Sequence, residues 1–79
     1  MKTTIEFVDG LREEHKEVSS KIATAQFELK TLDLDITESR LLEKQVNYLK
    51  WYADTLLEMA EYALIKESRA REKDTQQVH

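Results

Sequence analysis

The sequence predicts an all-α fold, an antiparallel two-helix hairpin that assembles into a homo-oligomeric helical bundle. Three observations carry this. One Gly and no Pro punctuate the chain, and strand alternation is absent over any useful length, which leaves long helices. Val8, Leu11, His15, Val18, Ile22, Ala25, Leu29 and Leu32 recur at alternating threes and fours, the spacing of a heptad seam. A short polar segment, residues 33–36, then separates this stripe from a second one.

The first helix is expected over residues 4–32. At about 100° per residue its stripe fills a sector roughly 120° wide, and the remaining surface is charged or hydroxylic, with Arg12, Glu13, Lys16, Glu17, Ser20 and Lys21 among its residues. Thr3 and Glu6 have capping-box spacing, which satisfies free N–H groups at a helix start. Asp9 before Gly10 offers a second start. A continuous helix is the reading taken, because Ile5, Phe7 and Val8 otherwise lose their shared surface. Phe27 lies opposite the stripe and suggests a contact between chains or a lid on a ligand.

Asp33-Leu34-Asp35-Ile36-Thr37 combines short side chains that bond their own backbone with acids suited to a helix N-terminus. Asp35 and Glu38 form a second capping-box pattern, so the second helix is expected over residues 37–68, roughly 45–50 Å long. Residues 1–68 are thus one hairpin domain. Residues 69–79 hold no apolar face and are expected to form a disordered charged tail.

The two stripes differ in width. The second helix repeats the three-four pattern in Leu42, Gln45, Leu49, Tyr52, Leu56, Met59 and Ala63, and adds a further row of Val46, Ala53, Leu57, Ala60 and Leu64. A partner with a narrow stripe cannot cover both rows, and a long apolar strip usually marks an interface. Val46, Ala53, Leu57, Ala60 and Leu64 are therefore expected to meet another copy. Small Ala53 and Ala60 permit close approach. Self-association also answers a shortage, since a core built from about eighty residues supplies only a few kcal/mol.

Composition removes other classes. The chain has 79 residues, 41% of them hydrophobic, and no Cys, which excludes disulfides, Cys-ligated metals and a thiol nucleophile. No apolar run approaches a membrane span and no signal-peptide order is present, so a cytoplasmic location is expected. Its polar faces do not show the Lys and Arg enrichment that anionic lipid would select. The formal charge of −4 repels a polyanion, and duplex nucleic acid is not an expected partner.

Catalytic material is scarce. Nucleophilic hydrolysis needs a nucleophile, a base and an orienting group, whereas the only histidines are His15, within the stripe, and His79 at the end. The chain is not expected to be an enzyme. Arg12 stands three residues before His15, where a di-iron bundle would place Glu, and neither a metal nor a cofactor is expected. Gln45, within the second stripe, reads as a buried amide that specifies register. Along one flank of the same helix stand Lys44, Tyr48, Trp51, Thr55 and Tyr62, beside Tyr52. Aromatic faces next to a cation suit nucleobase stacking. The same flank serves equally as a bundle interface anchored by Tyr and Trp.

The run Phe7-Val8-Asp9-Gly10-Leu11-Arg12-Glu13-Glu14-His15-Lys16-Glu17-Val18, then Lys21-Ile22, an acidic turn and Leu41-Leu42-Glu43-Lys44-Gln45-Val46-Asn47-Tyr48-Leu49-Lys50-Trp51-Tyr52 with Leu56 and Ala60, resembles small phage-encoded helical-hairpin proteins. Leu41, Leu42, Gln45, Leu49 and Tyr52 match the pattern of their second helix, and the likeness covers residues 5–65. These hairpins are similar in turn to the hairpin domain of phage anti-CBASS and anti-Thoeris sponges, homo-oligomers, often hexamers, that sequester cyclic nucleotide signals between subunits. The resemblance implies an immune-evasion protein that captures cyclic oligonucleotides or cyclic ADP-ribose type signals without turnover, in the host cytoplasm. Arg12, Lys16, Arg40, Lys44, Tyr48 and Trp51 are then the candidate ligand residues, chosen by chemistry as cations for phosphate and rings for bases. Where many relatives carry an Arg late in the second helix, this chain has Met59, which removes a phosphate contact there. The alternative is a homo-oligomeric scaffold or protein-interaction module with no small ligand.

Overall fold

The computed structural model describes residues 3–77, with side chains through Arg71. Among them there are two helices and no strand: α1, Thr4–Thr31, and α2, Ile36–Gln77. The molecule is a rod of 67 × 18 × 16 Å, so its core is a single file of side chains between two antiparallel helices.

Each helix start is chemically specified. The backbone N–H of Glu6 donates to Thr3 Oγ1 at 3.1 Å, and Thr3 takes the extended backbone of an N-cap. At α2 the box is reciprocal: Glu38 N–H donates to Asp35 Oδ1 at 2.7 Å, and Asp35 N–H reaches Glu38 Oε1 at 3.5 Å. That backbone N–H of Glu38 holds the Asp35 carboxyl below its ordinary value, with the Glu38 side chain adding to the effect. Helix α1 ends where Leu32 turns extended while its N–H still donates to Glu28 O at 2.9 Å. Leu32 consequently leaves the stripe and is exposed. Gly10 sits inside α1 with no positive φ, so no break occurs there.

The far end of α2 departs from expectation. The helix does not fray at residue 68 but continues to Gln77, and Val78 and His79 lie outside the described residues. The physical reason is propensity: residues 69–77 contain no Gly or Pro and are rich in Arg, Ala, Glu, Lys and Gln. One ion pair, Arg71 Nη2 to Glu67 Oε1 at 3.0 Å, spans a turn of this segment.

Facing residues of the two helices have numbers adding to about 71, as Thr4 and Glu67 do where they line one groove. The α1 side of the seam follows the sequence pattern: Val8, Leu11, Val18 and Ala25 are buried, with His15, Ile22 and Leu29 half-buried. The α2 side corrects it. Val46, Ala53 and Ala60 are only 5%, 6% and 7% exposed within the single hairpin, so they face α1 rather than a second copy. Together with Leu42, Leu49, Leu56 and Ala63 they make a new three-four seam that runs between the two rows read from the sequence. Gln45 and Met59, assigned to the seam by spacing, are exposed. The seam alternates Leu42, Leu49 and Leu56 with the smaller Val46, Ala53 and Ala60, a pattern that lets the two helices pack closely, while the bulkier Tyr48, Tyr52 and Met59 stand on the flank.

Candidate functional site: the outer row of α2

About 100° round α2 from the seam runs a second, uncovered heptad row: Leu41, Gln45, Tyr48, Tyr52, Thr55, Met59 and Tyr62. Its spacing alternates fours and threes throughout. Leu41, Tyr48, Met59 and Tyr62 are exposed large residues, while Tyr52 and Thr55 are half-buried. The row extends roughly 32 Å along the helix. On this flank α1 presents Glu14, Glu17, Lys21, Thr24 and Glu28, which cannot shield an apolar strip, and Phe7 only at the far end, in a groove with Ala63 and Lys66.

One bond ties the row to α1. The Tyr52 hydroxyl donates to the Glu14 carboxylate, fixing the ring at the junction of the helices. That bond, assisted by desolvation and by the negative charge of Glu14, raises the phenol above its ordinary value of 10.0. Next to Tyr52, an open groove of about 510 Å³ is lined by Glu17, Lys21, Thr24 and Glu28 from α1 and by Leu42, Gln45 and Leu49 from α2. Thr55 keeps its hydroxyl proton local, donating to Trp51 O at 2.9 Å, which leaves the oxygen able to accept.

The structure separates the six candidate ligand residues. Tyr48 and Trp51 do form a ring pair, with centroids 6.1 Å apart and planes inclined by 38°; they are 66% and 62% exposed. Lys44 shares the back of α2 with Trp51, one heptad away. Arg40 lies at the turn end, beside a shallow depression with Leu34, Ile36, Ser39 and Glu43. Arg12 belongs to the opposite flank of the hairpin, the one where Ser19 and Gln26 line depressions with Lys50. It stands near the level of Met59, roughly 16 Å along the axis from Tyr48. Lys16 points further round α1, with its ammonium 3.9 Å from Glu13. No single concave site in one chain collects these cations and rings.

Of the five residues expected at a copy-to-copy interface, Leu57 and Leu64 remain exposed, on the flank opposite the outer row. His15 is half-buried in the seam, as a packed residue would be. Among the described residues there is no group of three or more His, Asp or Glu placed to hold a metal ion, and no helix is long and apolar enough to cross a membrane. Compared with protein-family models, with curated proteins and with solved structures, the chain matches none of them. Its functional reading therefore rests on its own surface.

Proposed function

We propose that this chain is a self-associating helical-hairpin module, a binder rather than a catalyst, whose working form is a homo-oligomer and whose recognition surface is the outer row of α2. The observation that carries this reading is the row itself: a continuous heptad stripe of mostly large residues, about a quarter-turn from the seam, with polar side chains of α1 beside most of its length and the exposed Phe7 at the Tyr62 end. A helix in a bundle of more than two helices has two such faces; a helix in an isolated hairpin has use for one. Sedimentation equilibrium tests it. The expected result is a concentration-dependent mass above that of the 9.3 kDa chain at tens of micromolar, and a monomer throughout that range overturns it.

A second reading is favoured by the Tyr48–Trp51 ring pair with Lys44 on the same helix. Here an assembled form captures a cyclic nucleotide signal between subunits, as a phage immune-evasion protein would, with bases on the rings and phosphates on cations drawn from different copies. The separation of Arg12 and Lys16 from Tyr48 within one chain makes assembly a requirement of this reading. Calorimetry against cyclic di- and trinucleotides and cyclic ADP-ribose isomers decides it: heat that disappears in Trp51→Ala supports capture, and no heat from any member of the panel excludes it.

A further inference from the structure

We propose that two copies of this chain pair through α2, antiparallel, about a twofold axis passing beside Trp51, in a register set by Lys44 and Glu58. The inference rests on the self-association just described and specifies its partner and its geometry.

In heptad terms Gln45, Tyr52 and Met59 occupy one position of the outer row, and Leu41, Tyr48, Thr55 and Tyr62 the other. Antiparallel helices pack these two positions against each other in layers. With the axis near Trp51, Leu41 meets Met59 of the partner subunit, Gln45 meets the partner's Thr55, and Tyr48 meets the partner's Tyr52. Each of these three layers is chemically matched. Leu with Met is aliphatic packing, and two tyrosines are an aromatic pair. The third layer joins an amide donor to a hydroxyl oxygen whose own proton is already used on Trp51 O.

The flanking residues select the same register. Lys44, Trp51 and Glu58 lie exactly two heptads apart end to end on the outer edge of the row. Reversal about Trp51 therefore sets Lys44 beside Glu58 of the partner subunit, twice, with the two Trp51 rings between. Neither Lys44 nor Glu58 has an ion-pair partner inside its own chain among the described residues. Competing arrangements lose this match. A parallel pair puts Lys44 against the partner's Lys44 and Glu58 against its Glu58. An antiparallel pair slipped by one heptad buries the partner's Lys66 against Leu41 and sets Ile65 beside Lys44. Like charges at such positions are destabilising by as much as opposite charges stabilise.

Charge reversal tests the register. Lys44→Glu and Glu58→Lys, each alone, are expected to raise the dimer dissociation constant about 4- to 30-fold at low salt, since each places two like-charged pairs where two opposite pairs stood. The double variant Lys44→Glu/Glu58→Lys should return to within about twofold of the parent chain, and the single-variant effects should shrink in high salt. Because the chain has no Cys, Lys44→Cys mixed with Glu58→Cys and a short thiol crosslinker should give the mixed dimer, with no crosslinked dimer from Lys44→Cys alone. A parent chain that sediments only as a monomer overturns both this register and the self-association beneath it. A parent dimer in which the double variant fails to recover, or in which Lys44→Cys crosslinks to itself, overturns the register alone.

Discussion

The two long faces of α2 solve different packing problems. The inner face, against α1, is made of small or slim residues, with Ala53, Ala60 and Ala63 alternating with Leu49 and Leu56. The outer face carries Tyr48, Tyr52, Met59 and Tyr62. Small residues let two helix axes come close and give a thin, well-covered core. Large amphipathic residues cover wide area and keep a polar tip, which suits a surface that is wet when alone and covered when paired. The contrast teaches that total apolar content is a poor guide to which face of α2 meets α1. Side-chain size sorts the two faces better than hydrophobicity does.

The largest expected effect falls on the inner face. Leu56 is 2% exposed at the centre of the core, and Leu56→Ala should cost about 2–3 kcal/mol through lost burial and the cavity left behind. A hairpin this small has little more than that in hand, so urea denaturation followed by helical circular dichroism should show it largely unfolded at low concentration. Met59→Ala, three residues away on the outer face, should change monomer unfolding by less than about 0.5 kcal/mol. Equal losses from both substitutions would erase the distinction between the faces.

The next effect separates the two exposed flanks. Tyr48→Asp places a charge in the middle of the outer row and should weaken self-association by about tenfold or more. Leu57→Asp lies on the opposite flank, with Leu64, and should leave the sedimentation profile of the parent chain unchanged. The reverse outcome would move the interface to the aliphatic flank and remove the outer row from consideration.

Much of the fold is legible in the sequence, because its signals are local. The α1 stripe from Val8 to Leu29, the Thr3 cap and the Asp35–Glu38 box each depend on residues within a turn or two of one another. The α2 seam is harder to read. Apolar residues occupy two overlapping three-four patterns on that helix, and periodicity alone ranks Gln45, Tyr52 and Met59 equally with Val46, Ala53 and Ala60. The choice between them depends on how α1 packs against α2, which is a tertiary property. The Tyr52–Glu14 bond is likewise invisible in spacing, since it joins residues 38 positions apart. The helical extension to Gln77 is not legible in hydrophobic patterning, because residues 69–77 lack an apolar face and only their propensity favours a helix.

A smaller effect isolates α1. Gly10 is helical and exposed, and a Cβ built there would meet nothing within 4 Å. Gly10→Ala should therefore stabilise the hairpin by about 0.5–1 kcal/mol by restricting the unfolded chain. Because the position belongs to neither face of α2, the association constant should stay unchanged while the thermal midpoint rises. A lower midpoint would mean that α1 bends at residue 10 in solution.

The smallest effect concerns the residue that joins the faces. Tyr52 packs against the core cluster from its edge and donates its proton to Glu14. Its phenol is held above 10.0 in the folded chain, chiefly by that hydrogen bond. A group whose folded value is raised contributes stability that is fully present below its unfolded value and is lost as pH rises through the folded one. Tyr52→Phe keeps the ring and removes both the proton donor and the titration. The parent should melt slightly above Tyr52→Phe at neutral pH, and the gap should close only once pH passes 10.0. Thermal melts of both chains across an alkaline series measure this directly. Curves that stay parallel through the series would show that the hydroxyl is not shared with Glu14 in solution, and that the outer row is held in place by packing against the seam alone.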